Sequence, residues 1–287
     1  MEQVAPNVYI ETHFDGVNVG AIRTPKGIIA IDVPSYPRDA RNWVMQLHRL
    51  DRNPIQHLIL TNAHGDRILN TRWLNAPLLV HKETSDILYN YDKRFPQSII
   101  ESLTARHLEK GREISSSPVE KPSLTFTHSL KFFQNKYRIE LLAAPSAAPG
   151  GIWLFLPESG ILFVGDTLVI DRHPFLTAPN SYAWLSTLNK LKDWATQVNI
   201  VVPGRGSCSG FEAIEPLQYY IQMMQQEVQQ LIDRDAPREE TAVLVSKFLP
   251  MFPVHHLPIE WIKKQIKLSL AHVYDEIQLM GSGKETL

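Results

Sequence analysis

The sequence predicts a layered α/β fold, and three observations predict it. Short β-branched runs broken by Gly and Pro fill the first third of the chain. Segments of helical spacing alternate with them, which points to helices packed on sheets and not to an all-β sandwich. After Ser209 the pattern is helical to the end. With 287 residues, 44% hydrophobic and 21% charged, the chain is globular in composition, which excludes a disordered or fibrous protein. That length suits one or two domains. Lys plus Arg number 29 and Asp plus Glu 30, a net charge of −1, so there is no electrostatic grip on nucleic acid or an anionic membrane. The single cysteine, Cys208, excludes an internal disulfide and a Cys-rich zinc site. Residues 1–7 show no apolar signal-peptide core, and no run reaches the ~18 apolar residues of a membrane helix. The expected location is the cytoplasm, without a membrane or nucleic-acid partner.

In chain order, residues 8–11, 17–24 and 27–33 read as strands, with Pro25-Lys26-Gly27 as a hairpin turn. Residues 39–49 have helical spacing through Trp43 and Leu47. Residues 57–60 and 78–81 are short apolar strands. Residues 98–110 read as a helix with Ile99, Leu103 and Leu108 on one side, and 111–122 as a polar loop. Strands follow at 124–126, 138–143, 152–156 and 161–164, with a turn at Pro157-Glu158-Ser159-Gly160. A helix is expected at 181–197, a last strand at 200–202, and long amphipathic helices at 217–233 and 258–279. Residues 281–287 read as a frayed tail.

Chemistry is expected in four loops after strands, where rigid scaffolds commonly place function. They are Thr61-Asn62-Ala63-His64-Gly65-Asp66-Arg67, Ala144-Pro145-Ser146-Ala147-Ala148-Pro149-Gly150, Gly165-Asp166-Thr167 and Pro203-Gly204-Arg205-Gly206. If the first stays extended, Asn62, His64 and Asp66 share one side. Together, and in this order, the loops resemble the metallo-β-lactamase superfamily: Thr-His-x-His-x-Asp-His, Pro-Gly-His-Thr-Pro-Gly, Gly-Asp and Pro-Gly-His-Gly. Ile31-Asp32 after the Gly27 turn also fits. The resemblance spans roughly residues 8–206, and the C-terminal helices look like those of the glyoxalase II-like and lactonase-like branches. It implies a four-layer αββα sandwich over residues 1–210, with residues 211–287 as a helical extension packed on the same domain.

Carried over position by position, the resemblance leaves three of seven metal ligands: His64, Asp66 and Asp166. Asn62, Ala147, Arg67 and Arg205 stand where the family has histidines. One zinc of the family takes positions 62, 64, 147 and 166, and the other takes 66, 67, 166 and 205. A guanidinium has no lone pair to donate, and a tetrahedral zinc wants three or four protein ligands. Neither half qualifies, so no cofactor is expected, with zinc only if the remaining ligands suffice. Two guanidiniums for two imidazoles add the charge of one zinc ion, and bidentate Arg–carboxylate pairs would relieve Asp66 against Asp166. An Asp66/Arg67/Asp166/Arg205 ion-pair cluster is therefore expected in place of the metal, with Asn62 beside it.

Three functions stay open. The first is a pseudoenzyme, with the cleft binding a small, anion-type ligand or a protein partner and residues 98–122 as its lid. The second is a residual hydrolase of an ester, lactone or thioester with one metal or none, with His64 as general base and Asp66 orienting it. The third is a structural or regulatory subunit with a closed cleft. The last helix reads as packed on the body, or alternatively as a homodimer contact. The nucleic-acid branch, which inserts a domain before the final motif, is disfavoured. Cys208 has no expected base, and adjacent His255-His256 is weak as a metal site.

Overall fold

The computed structural model describes residues 1–114, 117–134, 137–178, 180–208 and 210–282. Two sheets lie face to face. The first has seven strands in sequence order: β1 (Glu2–Ala5), β2 (Val8–Glu11), β3 (Val19–Thr24), β4 (Gly27–Ile31), β5 (Ile55–Ile59), β6 (Leu78–His81) and β7 (Leu124–Phe126). Its first four strands run antiparallel, and β4 to β7 run parallel. The parallel part needs crossovers, and helices supply them. They are α1 (Pro37–Leu50) between β4 and β5, α2 (Gly65–Ile68) before β6, and α3 (Lys82–Asn90), α4 (Gln97–Arg106) and α5 (Leu108–Gly111) before β7. Pro37 opens α1, where its missing N–H is harmless, and Ala40, Trp43 and Leu47 give it one buried stripe.

The second sheet has the order β12 (Ile200–Arg205), β11 (Ile161–Val169), β10 (Ile152–Leu156), β9 (Tyr137–Ala143), β8 (Ser129–Gln134). Three apolar layers define the stacking. Ile10, Ile29, Ile31, Leu141, Leu154 and Phe163 fill the space between the sheets. Trp43, Leu47, Leu58, Leu74 and Leu103 back the first sheet. Trp184, Tyr220, Met224, Phe248, Ile266 and Leu270 back the second, from α6 (Ser181–Lys192), α7 (Ile214–Ile232), α8 (Val245–Phe248) and α9 (Ile259–Ser282). This is the αββα sandwich, and the C-terminal helices share the core of the second sheet. No helix among the described residues is long and apolar enough to cross a membrane.

Several elements differ from the sequence reading. Gly165-Asp166-Thr167 is not a loop: β11 runs through it to Val169, because Gly165, at φ 53°, absorbs an irregularity while parallel pairing with β12 resumes at Val169 and Arg205. For the same reason Arg205 ends a strand. The 61–67 segment does not stay extended, since the chain turns into α2 at Gly65, with His64 Nδ1 3.3 Å from the Asp66 N–H at the helix start. The helix at 181 ends at Lys192, and residues 193–195 close i→i−3 turns instead. Strands β1 and β8 lie outside the segments expected to be strands. Gly281 and Ser282 belong to α9, and the rest of the expected tail lies outside the described residues, as do Ser115 and Ser116 of the expected polar loop.

Candidate functional site

Backbone hydrogen bonds tie the two sheets together along one rim. Ile152 N–H donates to Thr61 O (2.9 Å), Asn18 N–H to Gly204 O (2.9 Å) and Ala63 N–H to Pro149 O (2.9 Å). This rim brings together Asp32 after β4, Asn62, His64, Asp66 and Arg67 around α2, Arg106 at the end of α4, Asp166 in β11 and Arg205 in β12.

Three carboxylates face three guanidiniums there. Arg67 is fully buried and bridges Asp32 (Nη1 to Oδ2, 2.5 Å) and Asp166 (Nη2 to Oδ1, 2.6 Å). Arg205 bridges Asp66 (Nη1 to Oδ2, 2.6 Å) and Asp166 (Nε to Oδ1, 3.1 Å; Nη2 to Oδ2, 3.3 Å). Arg106, 5% exposed, donates through Nη1 to Asp66 Oδ2 (2.6 Å) and through Nε to the Tyr36 hydroxyl (2.9 Å). Asn62 Nδ2 donates to Asp166 Oδ2 (3.1 Å), and its Oδ1 accepts from His64 N–H (2.9 Å). Asp32, held at φ 57°, also accepts from the Thr61 N–H (2.8 Å) and Oγ1 (2.7 Å). Asp66 and Arg67, neighbours in sequence, take different partners. The chain at Gly204 passes so close that an added Cβ would lie 2.4 Å from Asp166 Oδ1 and 2.6 Å from Arg67 Nη2.

The charges follow this wiring. Burial pushes the Asp166 carboxyl up, but Arg205, Arg67 and His64 outweigh it and hold it well below the usual range. Burial likewise acts on Asp66, and Arg106, Arg205 and His64 overcome it. Asp32 goes the other way: burial raises it against the pull of Arg67 and Thr61. Cys208 is half-buried, and burial pushes its thiol up to about 11, the opposite of an activated nucleophile.

The remaining predicted residues separate. His64 lies at the edge of the cluster, its Nδ1 2.9 Å from Asp66 Oδ1 and 3.4 Å from Arg205 Nη2. Ala147 is buried in the apolar layer behind the second sheet. His255, at φ 54°, and His256 lie in a turn, bound to Asp171 O and Asp15 Oδ1 respectively, so they share no metal-like geometry. The sequence reading missed Arg106, and it gave Asp32 no role in the cluster. A signal existed for Arg106, which follows Ile99 and Leu103 at helical spacing on the inward side of α4.

On its open side the cluster faces a cleft of about 340 Å³. His64, Asp66, Arg106 and Arg205 form its polar end, and Ile99, Leu103, Phe175, Leu176, Trp261 and Leu268 line its walls. Helix α4 covers it and is fastened to α9 by Trp261 Nε1 donating to Ser102 O (2.9 Å). A sequence model of the metallo-beta-lactamase superfamily matches residues 14–205. The chain belongs to this superfamily. Its relatives include the linear primary-alkylsulfatase of Pseudomonas sp. (strain ATCC 19151), 22% identical over an alignment of 231 residues that covers 68% of this chain and 42% of that enzyme. The chain thus spans less than half the length of that relative. A metallo-beta-lactamase family protein from Thermus thermophilus superposes with a TM-score of 0.70 at 17% identity, over 98% of this chain and 95% of the other. The stereoselective inverting sec-alkylsulfatase Pisa1 from Pseudomonas sp. gives 0.67 at 14% identity, over 95% of this chain and 49% of that one. At these identities the likeness to solved structures is one of fold.

Zinc is the usual metal of metallo-beta-lactamase superfamily members, and the residues present here do not fit it. Guanidinium N–H groups engage the carboxylates of Asp66 and Asp166, and Ala147 has no donor atom. Among the described residues no group of three or more His, Cys, Asp or Glu is placed to hold a metal ion.

Proposed function

We propose that this chain is a non-hydrolytic member of the superfamily whose cleft binds a small amphipathic ligand. The observation that carries this reading is the pair of bridging arginines. Arg205 engages Asp66 and Asp166 together, and Arg67 takes Asp166 as well, so the charge that zinc would supply is supplied by protein. Without a metal-bound hydroxide the cleft lacks the family's nucleophile. Its shape suits binding, with a polar end of His64 and Arg205 and long apolar walls. Two relatives are alkylsulfatases by name, which makes alkyl sulfates the first probes. Protein produced with zinc, iron and manganese supplied is expected to hold well below one equivalent of metal. Short-chain alkyl sulfates and carboxylates, kept below their micellar concentrations, are expected to raise its melting temperature without being turned over. Stoichiometric metal or turnover would overturn the proposal. No thermal shift with any chain length would favour a closed, structural role.

One observation favours a second reading. The His64 Nδ1–Asp66 Oδ1 contact orients the imidazole, and no protein group among the described residues bonds Nε2. In the tautomer whose Nδ1–H is given to Asp66 Oδ1, in place of the helix-start contact with the Asp66 N–H, Nε2 has the arrangement of a metal-free general base. Under this reading, weak ester or lactone hydrolysis falls to background in His64→Ala. Activity that survives the substitution removes His64 from the chemistry.

A further inference from the structure

The cleft has a polar end, and that end carries no spare charge. Asp66, Arg106 and Arg205 are the acidic and basic residues of its lining, beside two histidines. A guanidinium has five N–H groups, and those of Arg205 are all spoken for. Nε meets Asp166 (3.1 Å), Nη1 meets Asp66 (2.6 Å) and Gly16 O (2.9 Å), and Nη2 meets Asp166 (3.3 Å) and His64 Nδ1 (3.4 Å). Arg106 gives Nη1 to Asp66 and Nε to the Tyr36 hydroxyl, and its Nη2 is buried against Gly16, outside the cleft lining.

The charges cancel as well. Arg67, Arg106 and Arg205 are matched by Asp32, Asp66 and Asp166. Asp66 and Asp166 are kept ionised by their arginines. Asp32 is raised by burial, yet it accepts from Arg67 and twice from Thr61, the surroundings of a carboxylate. Behind Arg106, Lys110 and Arg172 face Asp15 and Asp39, so that side adds no net charge either. Lys264 and Lys267 are exposed on α9 and are not part of the cleft lining. An anionic head at the polar end would therefore leave water and meet no free cation, which is costly. Taking an arginine for itself would leave Asp66 or Asp166 short.

What this end does offer is His64 Nε2, on a ring held at Nδ1 by Asp66 and Arg205. A neutral ring nitrogen donates or accepts according to its tautomer, and a hydroxyl answers either. The other histidine, His272, meets the Leu176 carbonyl through Nδ1 (3.0 Å). We propose that the ligand of this cleft is an uncharged amphiphile of the alkyl alcohol class, its hydroxyl on His64 Nε2 and its chain along Ile99, Leu103, Phe175 and Trp261. The proposal rests on the reading of the cleft as an amphiphile site and adds the charge of the head. Sulfates and carboxylates of the same chain length enter, but more weakly.

The test compares 1-octanol, octyl sulfate and octanoate, each below its solubility or micellar limit. Calorimetric titration of the full chain at pH 8 and constant ionic strength gives the affinities. 1-Octanol is expected to bind about tenfold or more tightly than either anion. His64→Leu is expected to lose most of that advantage and to leave the anions little changed. Asp66→Asn, which frees guanidinium N–H groups and leaves one positive charge over, is expected to turn the order in favour of octyl sulfate. A damaged fold does not produce such a gain. Either anion binding the wild type as tightly as 1-octanol overturns the proposal and leaves the amphiphile site standing. So does an alcohol affinity unchanged in His64→Leu. Binding of none of the three overturns both readings. If Asp66→Asn fails to fold, the wild-type order and the His64 variant decide.

Discussion

Replacing Arg67 with methionine is expected to cost about 3–5 kcal/mol of stability, the magnitude for removing one partner from a buried ion pair. The guanidinium is fully buried and spans Asp32 and Asp166, so its loss leaves two buried carboxylates short of a cation. Asp32 loses most, because its other donors are the N–H and hydroxyl of Thr61, while Asp166 keeps Arg205 and Asn62. Urea unfolding of the single variant, and of Arg67→Met with Asp32→Asn, measures both parts. The double variant is expected to recover part of the loss, since neutralising the orphaned carboxylate removes its penalty. A single-variant loss under about 1 kcal/mol, the scale of an exposed pair, would show that Arg67 is not the buried bridge described here.

Acidification is expected to unfold the protein from about pH 5 downwards. Asp66 and Asp166 titrate below their unfolded values. Their stabilisation is therefore complete above the unfolded carboxylate pKa of about 4 and is lost as pH falls towards the folded values. Asp32, raised by burial, has the opposite sign and offsets part of this. The two lowered carboxylates outnumber it, so the net slope is a loss with acid. Melting temperatures measured from pH 7 to pH 3 check the sign, and a flat profile contradicts it. Arg205→Met, which removes the cation shared by Asp66 and Asp166, is expected to flatten the slope.

Much of the site was legible because its residues sit in short motifs with fixed spacing. Asn62, His64, Asp66, Arg67, Asp166 and Arg205 meet at one rim because the first four follow β5 of one sheet and the last two lie in the adjacent strands β11 and β12 of the other. The wiring was not legible. Which carboxylate Arg67 reaches depends on α2, whose turn at Gly65 sends the side chains of Asp66 and Arg67 in different directions. Arg106 and Arg172 come from outside the motifs, and periodicity cannot show that a charged residue turns inward to a partner far along the chain. Strand β8 alternates exposed and half-buried residues, and its apolar signal is correspondingly weak. Strand β11 continues past Val164 because β12 pairs beside it, a non-local cause that no local pattern carries.

The shared bridging of Asp166 also bears on history. Arg67 and Arg205 both reach Asp166; Arg67 also holds Asp32, and Arg205 shares Asp66 with Arg106. Returning position 67 to histidine alone would strip Asp32 of its cation, and returning position 205 would leave Asp66 with Arg106 alone, while in each case the other arginine still engages Asp166. Ala147 would have to gain an imidazole inside a packed apolar layer as well. No single substitution turns this cluster into a zinc centre, because several buried positions that hold one another would have to change together.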